Sequence, residues 1–206
     1  MAVNLAPGLI YHPGFLDREK QEALLAAVRE AVRAAPLFTP RMPRTGKPFS
    51  VRMTNCGALG WVSDESGYRY QATHPDTGEP WPQIPQIALD AWDKIGEYAH
   101  APEACLVNFY APDARMGMHQ DRDEQDFDAP VVSLSLGDTG LFRYGGTTRG
   151  GGTRSIRLES GDAIVIGGES RLIYHGVDRI VSGSSTLLPN GGRINLTLRR
   201  VSPADI

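Results

Sequence analysis

Beyond Pro102 the chain breaks into seven short runs rich in β-branched and aromatic residues, separated by glycine-rich turns. They are Leu106 to Tyr110, Val131 to Leu136, Leu141 to Tyr144, Arg154 to Leu158, Ala163 to Ile166, Tyr174 to Val177 and Arg193 to Arg200. Strands so short and so closely punctuated read as an antiparallel sandwich or jelly roll. Composition agrees: 23 Gly and 15 Pro make the chain turn-rich, while a 41% hydrophobic content is too high for disorder. A length of 206 residues suits one domain, or one domain with a lobe, around a real core.

The first hundred residues have a different texture. Leu24, Leu25, Val28, Ala31 and Val32 recur at helical spacing between Asp17, a candidate N-cap, and Pro36, which predicts a helix over 17–35. A second helix is predicted over 82–100, with Pro85 in its first turn and Ile84, Ala88, Trp92, Ile95 and Ala99 along one face. Between them lie a proline- and arginine-rich loop, 40–48, and a segment, 53–67, whose glycines and Trp61 follow no clear period. No internal repeat is present, and the expected fold class is α+β, mainly β.

No stretch approaches the ~20 apolar residues of a membrane span, and Met1 to Gly8 lacks the basic and apolar regions of a signal peptide. The expectation is a cytoplasmic protein without a membrane partner. Cys56 and Cys105 have neither a disulfide framework nor zinc-ligand spacing and read as buried thiols. The net charge of -3 argues against holding nucleic acid by bulk attraction. Its distribution is uneven: six basic residues against Glu30 alone from Arg29 to Arg52, four arginines and no acid from Arg143 to Arg157, and five acids against Arg122 from Asp121 to Asp128. Each run by itself reads as a solvated face.

His119-Gln120-Asp121 places an imidazole and a carboxylate at i and i+2, on one face of an extended segment. His175, in Tyr174-His175-Gly176, sits on a later run. Singly, a His-x-Asp arises easily by chance and an isolated histidine usually serves structure. Together, two imidazoles and one carboxylate cover one face of an octahedral ion and leave three positions open, as Fe(II) oxygenases require. Zinc accepts the same ligands, but a tetrahedral zinc site keeps one open position and gives no reason for the last strand.

That strand, Arg193-Ile194-Asn195-Leu196-Thr197-Leu198-Arg199, alternates polar and apolar residues strictly, so Arg193, Asn195, Thr197 and Arg199 share a face. Facing solvent, it is an ordinary amphipathic edge strand. Facing a barrel interior, its two guanidiniums demand anions, and the two carboxylates of a dicarboxylic acid satisfy them. Asn108 and Tyr110, again at i and i+2, supply hydrogen bonds from a neighbouring strand. Beside a redox-active metal, the acid suggested is 2-oxoglutarate.

Asn108-Phe109-Tyr110-Ala111-Pro112, His119-Gln120-Asp121-Arg122-Asp123-Glu124, Gly168 to Gly176 and Arg193-x-Asn195-Leu196-Thr197-x-Arg199 resemble the AlkB family of alkylated-nucleic-acid repair dioxygenases. The likeness extends upstream through Met53 to Gly57 and Leu59-Gly60-Trp61, covering roughly residues 10 to 200. It implies a cupin-like double-stranded β-helix, or jelly roll, over 101–206, and an N-terminal extension with an α/β nucleotide-recognition lid over 1–100. It implies further that His119, Asp121 and His175 ligate Fe(II), and that Asn108, Tyr110, Arg193, Asn195, Thr197 and Arg199 hold 2-oxoglutarate. The target base stacks between Trp61 and His175 in such a protein, Asp123 meets its exocyclic nitrogen, and Tyr68, Arg69, Tyr70 and Arg149 contact the nucleotide. Ile166 stands where relatives often carry Trp, which bears on pocket shape but not on catalysis.

The activity so implied is oxidative demethylation of 1-methyladenine and 3-methylcytosine in single- or double-stranded DNA, and in RNA, by a monomer using Fe(II), 2-oxoglutarate and O2. Succinate, CO2 and formaldehyde are the by-products. These lesions are cationic, so Asp123 and Glu124 would favour them over the neutral parent base. The alternatives are a 2-oxoglutarate-dependent hydroxylase of a protein or small molecule, and a non-catalytic jelly-roll metal-binding module.

Overall fold

The apolar residues of the last strand, Ile194, Leu196 and Leu198, turn into a core shared with two helices, while Arg193 and Arg199 are almost wholly buried on the opposite face. The solvent-facing reading of this strand is thereby excluded. In the computed structural model, which describes residues 1–203, the strand is β13 (Arg193–Arg199), an interior strand of a mainly antiparallel α+β fold.

The preceding strands are β1 (Val3–Ala6), β2 (Leu9–His12), β3 (Val51–Gly57), β4 (Gly60–Asp64), β5 (Gly67–Gln71), β6 (Ala104–Tyr110) and β7 (Met116–His119). After these come β8 (Val131–Gly137), β9 (Thr139–Tyr144), β10 (Arg154–Leu158), β11 (Ala163–Ile166) and β12 (His175–Val181). A seven-stranded sheet runs in the order β1-β2-β11-β8-β13-β6-β3, and a four-stranded sheet in the order β10-β9-β12-β7; β4 and β5 form a separate hairpin. All seven runs expected beyond Pro102 are strands, and the two facing sheets are the jelly roll. Strands from both sides of residue 100 share the larger sheet.

Helix α1 (Arg18–Ala34) begins where expected, because Asp17 Oδ1 accepts from the Lys20 amide at 2.9 Å and satisfies an otherwise orphaned donor. Its buried face, Leu24, Leu25, Val28 and Ala31, packs with Ala88 and Trp92 of α2 (Gln86–Ile95) over the outer side of the large sheet. Helix α2 is shorter than the predicted 82–100: Pro85 caps it from outside, and it ends at Gly96. Segment 53–67, which shows no clear period in the sequence, forms most of β3, all of β4 and the start of β5. Cys56 and Cys105 are the buried free thiols expected, in register across β3 and β6. Among the described residues no helix is long and apolar enough to cross a membrane.

Candidate active site

Antiparallel pairing sets His119, at the end of β7, opposite His175, at the start of β12. Gly176 permits this approach, since a Cβ there would lie 2.5 Å from the Met116 carbonyl oxygen. The imidazole centroids are 4.6 Å apart. Each ring turns Nδ1 to a backbone carbonyl, His119 to Gly117 at 2.8 Å and His175 to Ile173 at 3.2 Å. A carbonyl only accepts, so Nδ1 carries the proton and Nε2 of the neutral ring keeps its lone pair for a metal. Both Nε2 atoms face Asp121, 3.5 Å from Oδ1 for His119 and 3.6 Å from Oδ2 for His175. The three residues offer ligand atoms all within 4.8 Å of one another.

Electrostatics prepares this triad unevenly. Burial pulls the His175 pKa down to about 4, reinforced by His119 and opposed by Asp121. At His119 burial works in the same direction, but the hydrogen bond and charge of Asp121 outweigh it and hold the pKa above its ordinary value. Burial likewise opposes ionisation of Asp121, yet Arg199 and the two histidines keep its carboxyl well below the usual range. Two imidazoles and an ionised carboxylate are a donor set that suits Fe(II).

The two arginines of β13 behave differently. Arg199 Nη2 bonds Asp121 Oδ1 at 2.8 Å, and its Nη1 bonds Glu124 Oε1 at 2.8 Å, so the chain itself supplies its anions. Arg193 has no carboxylate partner: its donors reach Leu158 O at 3.0 Å and Ser135 Oγ at 2.7 Å, and its buried Nε, like that of Arg199, bonds nothing. Burial pulls the Arg193 pKa down to about 10. An unpaired guanidinium and an orphaned donor, both buried, are what an absent anion would satisfy. Beside it, Tyr110 pairs with Arg193 in register, and Asn195 donates to Ser133 Oγ at 2.6 Å while accepting from Thr197 Oγ1 at 2.8 Å.

A cavity of about 700 Å³ joins these parts. Of the residues singled out from the sequence, Trp61, Tyr68, Asn108, Tyr110, His119, Asp121, Asp123, Arg149, His175, Arg193, Asn195, Thr197 and Arg199 line it, as does Ile166. Trp61 stacks on Tyr68 with centroids 5.6 Å apart, and its Nε1 donates to Asp123 Oδ2 at 2.8 Å. Arg149 lies over the Tyr174 ring.

Arg69 and Tyr70 do not line the cavity. Strand alternation turns Arg69 to the other side of its hairpin, where it grips Asp64 through both Nη atoms at 3.0 and 2.8 Å. Tyr70 points inward, its hydroxyl donating to Glu124 Oε1 and accepting from Arg199 Nη1 at 3.1 Å.

Glu124 is therefore no free acid beside the base, since Arg199, Arg171 and Tyr70 all engage its carboxylate. Nothing in the sequence marks Arg171 beyond its place in the Gly168 to Gly176 stretch. It is buried, bonding the Asp121 carbonyl at 2.7 Å and Glu124 Oε2 at 3.2 Å, and so pins the segment that carries Asp121. The only sequence signal for Ser133 and Ser135 is their period-two spacing in β8, facing the polar side of β13.

Residues 8–199 match the model of the 2OG-Fe(II) oxygenase superfamily. An alpha-ketoglutarate-dependent dioxygenase AlkB homolog of Caulobacter vibrioides is 52% identical over 202 residues, covering 98% of this chain and 91% of its own. AlkB of Escherichia coli is 40% identical over 183 residues, 87% of this chain and 84% of its own. The solved structure of OsALKBH1 superposes with a TM-score of 0.84 at 32% identity, covering 97% of this chain and 100% of that one. With its His119–Asp121–His175 triad and these relatives, the chain belongs to the 2OG-Fe(II) oxygenase superfamily and, within it, to the AlkB dioxygenases that work with Fe(II) and 2-oxoglutarate.

Proposed function

We propose that the protein is an oxidative demethylase of N-alkylated bases, chiefly 1-methyladenine and 3-methylcytosine, in DNA and also in RNA, working as a cytoplasmic monomer. The observation that carries this reading is the sharing of one cavity by Trp61, Asp123, the His119–Asp121–His175 triad and Arg193. In this reading His119, Asp121 and His175 hold Fe(II). Arg193 takes the distal carboxylate of 2-oxoglutarate, with Asn108, Tyr110, Asn195 and Thr197 around it. Arg199 positions Asp121.

Fe(II) held by His119, Asp121 and His175 would supply the oxidation by O2, one oxygen atom going to succinate as 2-oxoglutarate loses CO2 and the other to the N-methyl carbon. Collapse of the hydroxymethyl amine then expels formaldehyde and restores the base, and the fold contributes positioning and exclusion of water.

Methylation at these ring nitrogens blocks pairing, which lowers the cost of extruding the base from its stack. The extruded base would lie between Trp61 and His175, with its positive charge beside Asp123. Arg149 and the exposed Arg41, Arg44 and Lys47 near the mouth suit phosphates and would give a salt-dependent, sequence-blind contribution. Tyr68 extends the stacking platform within the lid.

The test is to incubate anaerobically iron-loaded protein with 2-oxoglutarate and a methylated oligonucleotide, admit O2, and assay succinate and formaldehyde. One formaldehyde per restored base is expected. Succinate without formaldehyde from any methylated DNA or RNA would sink the reading.

A further inference from the structure

Arg193 lies at the inner wall of the cavity with its five N–H donors unequally used. Nη1 faces two backbone carbonyls, Leu158 O at 3.0 Å and Asp138 O at 3.4 Å. Nη2 gives one hydrogen to Ser135 Oγ at 2.7 Å. What remains is the Nε hydrogen, buried without a partner, and the second Nη2 hydrogen. In a planar guanidinium the Nε hydrogen and one Nη2 hydrogen are parallel neighbours on the side away from Nη1, the edge that takes a carboxylate by two parallel bonds. Nη1, on the other side, is already committed to the protein.

Gly140 of β9 decides whether the group can lie this way. A Cβ at that position would come within 2.9 Å of Arg193 Nε, 3.1 Å of Cζ and 3.2 Å of Cδ. A point in line with the N–H bond would be markedly farther from both carbons than from the nitrogen. Near-equality puts Gly140 above the flat face instead, covering the guanidinium without obstructing its edge. Any side chain at 140 would push the plane off its seat.

We infer that Gly140 and Ser135 are positioning residues that hold Arg193 for side-on capture of the distal carboxylate of the 2-oxo acid, and thereby select a dicarboxylic cosubstrate over a monocarboxylic one. The inference rests on the proposed function, in which Arg193 receives that carboxylate. Ser135 fixes the rotation of the group about its long axis by occupying one Nη2 hydrogen. Gly140 fixes the height of the plane. Asp138 supports both, its carboxylate accepting from the Ser185 amide at 3.1 Å and the Gly192 amide at 2.8 Å, which anchors the turn that leads into Arg193.

The experiment is calorimetric titration of the protein loaded with redox-silent Mn(II), once with 2-oxoglutarate and once with 2-oxopentanoate, which has the same chain length but no distal carboxylate. Wild-type protein is expected to prefer 2-oxoglutarate by about 100-fold or more. Gly140→Ala should weaken 2-oxoglutarate by at least about tenfold, and Ser135→Ala by roughly three- to tenfold, with 2-oxopentanoate and Mn(II) affinities within about twofold of wild type. Wild-type selectivity in both variants, or equal weakening of both acids, would overturn the inference. If Gly140→Ala does not fold, Ser135→Ala, which removes one hydroxyl, decides alone. A wild-type protein indifferent to the distal carboxylate would instead defeat the assignment of Arg193 on which the inference stands.

Discussion

The indole Nε1 of Trp61 donates to Asp123 Oδ2 at 2.8 Å, so the stacking platform and the carboxylate expected beside the base hold each other in place. Asp123→Asn separates the two roles. The amide oxygen still accepts from the indole, while the negative charge is lost. The exposed position weakens the charge's attraction for a methylated cation to about 1–2 kcal/mol. We therefore predict that the affinity ratio of methylated to unmethylated oligonucleotide, measured with Mn(II) and 2-oxoglutarate bound, falls roughly 5- to 30-fold. An unchanged ratio would show that charge plays no part in lesion selection.

Trp61→Ala removes the platform itself. A stacked base is worth about 1–3 kcal/mol, so turnover of a methylated oligonucleotide should drop roughly 5- to 150-fold. Iron and 2-oxoglutarate binding should persist, because the residues proposed to hold them lie outside the β4–β5 hairpin. Succinate formed without nucleic acid reports this directly, and its loss in proportion to demethylation would make Trp61 a packing residue.

Tyr70 is directly opposite Trp61 in the β4–β5 hairpin, and its hydroxyl bridges Glu124 and Arg199, which in turn holds Asp121. Tyr70→Phe leaves the ring and deletes the bridge. The stability cost should be about 1–3 kcal/mol, because buried charged groups lose a partner. Mn(II) affinity should also weaken, since Arg199 loses one of the three groups that orient it against Asp121. A stability loss with unaltered metal affinity would confine Tyr70 to fastening the hairpin.

Metal uptake should depend on pH through His119 rather than His175. Burial, with His119 adding to it, depresses His175 to about 4, so this ring is neutral through the physiological range. His119, held above its ordinary value despite burial because Asp121 bonds its protonated form, must lose that proton to the metal. Apparent Mn(II) affinity should therefore rise with pH, by up to about tenfold per unit, until the pH exceeds the His119 pKa, and then level off. In Gly117 and Ile173 both Nδ1 positions have fixed carbonyl partners, so Nε2 remains the titrating atom throughout. Affinity independent of pH between 6 and 8 would contradict the raised His119 value.

What the sequence made legible follows from periodicity. Strand β13 was readable because one face meets the helices and the other the cavity, so its residues alternate. Strand β3 was not, because Val51 and Met53 to Cys56 are buried without alternation, leaving no polar side to mark the pleat. The four-residue strands β1, β2 and β7 are too short for any period to register.

Within the site, His119, Asp121 and His175 were legible as chemistry. The partners of charged residues were not, because pairing is tertiary. Glu124 belongs to a run that looks like a solvated acidic face, yet its side chain is wholly buried between Arg171 and Arg199. Arg69 and Tyr70 are adjacent in sequence and therefore on opposite faces of one strand, which separates two residues that a motif groups together.

The same separation yields the last prediction, since Arg193 and Arg199 look equivalent along the strand and are not equivalent in space. Arg199 neutralises two buried carboxylates, Asp121 and Glu124. Arg199→Met leaves Asp121 without its arginine and Glu124 with Arg171 as its one remaining cation, and breaking a buried pair from one side costs about 3–5 kcal/mol. A melting temperature lower by roughly 6–20 °C should follow, together with weakened metal binding. Arg193 has no internal carboxylate, so Arg193→Lys relieves no ion pair and should change the melting temperature much less. Its loss should appear instead in 2-oxoglutarate affinity, by roughly 30- to 1000-fold, because an ammonium cannot present two parallel donors. Thermal melting and 2-oxoglutarate titration of both variants check this together. The assignment fails if the two substitutions produce the same pattern, for then neither arginine is specialised as the geometry requires.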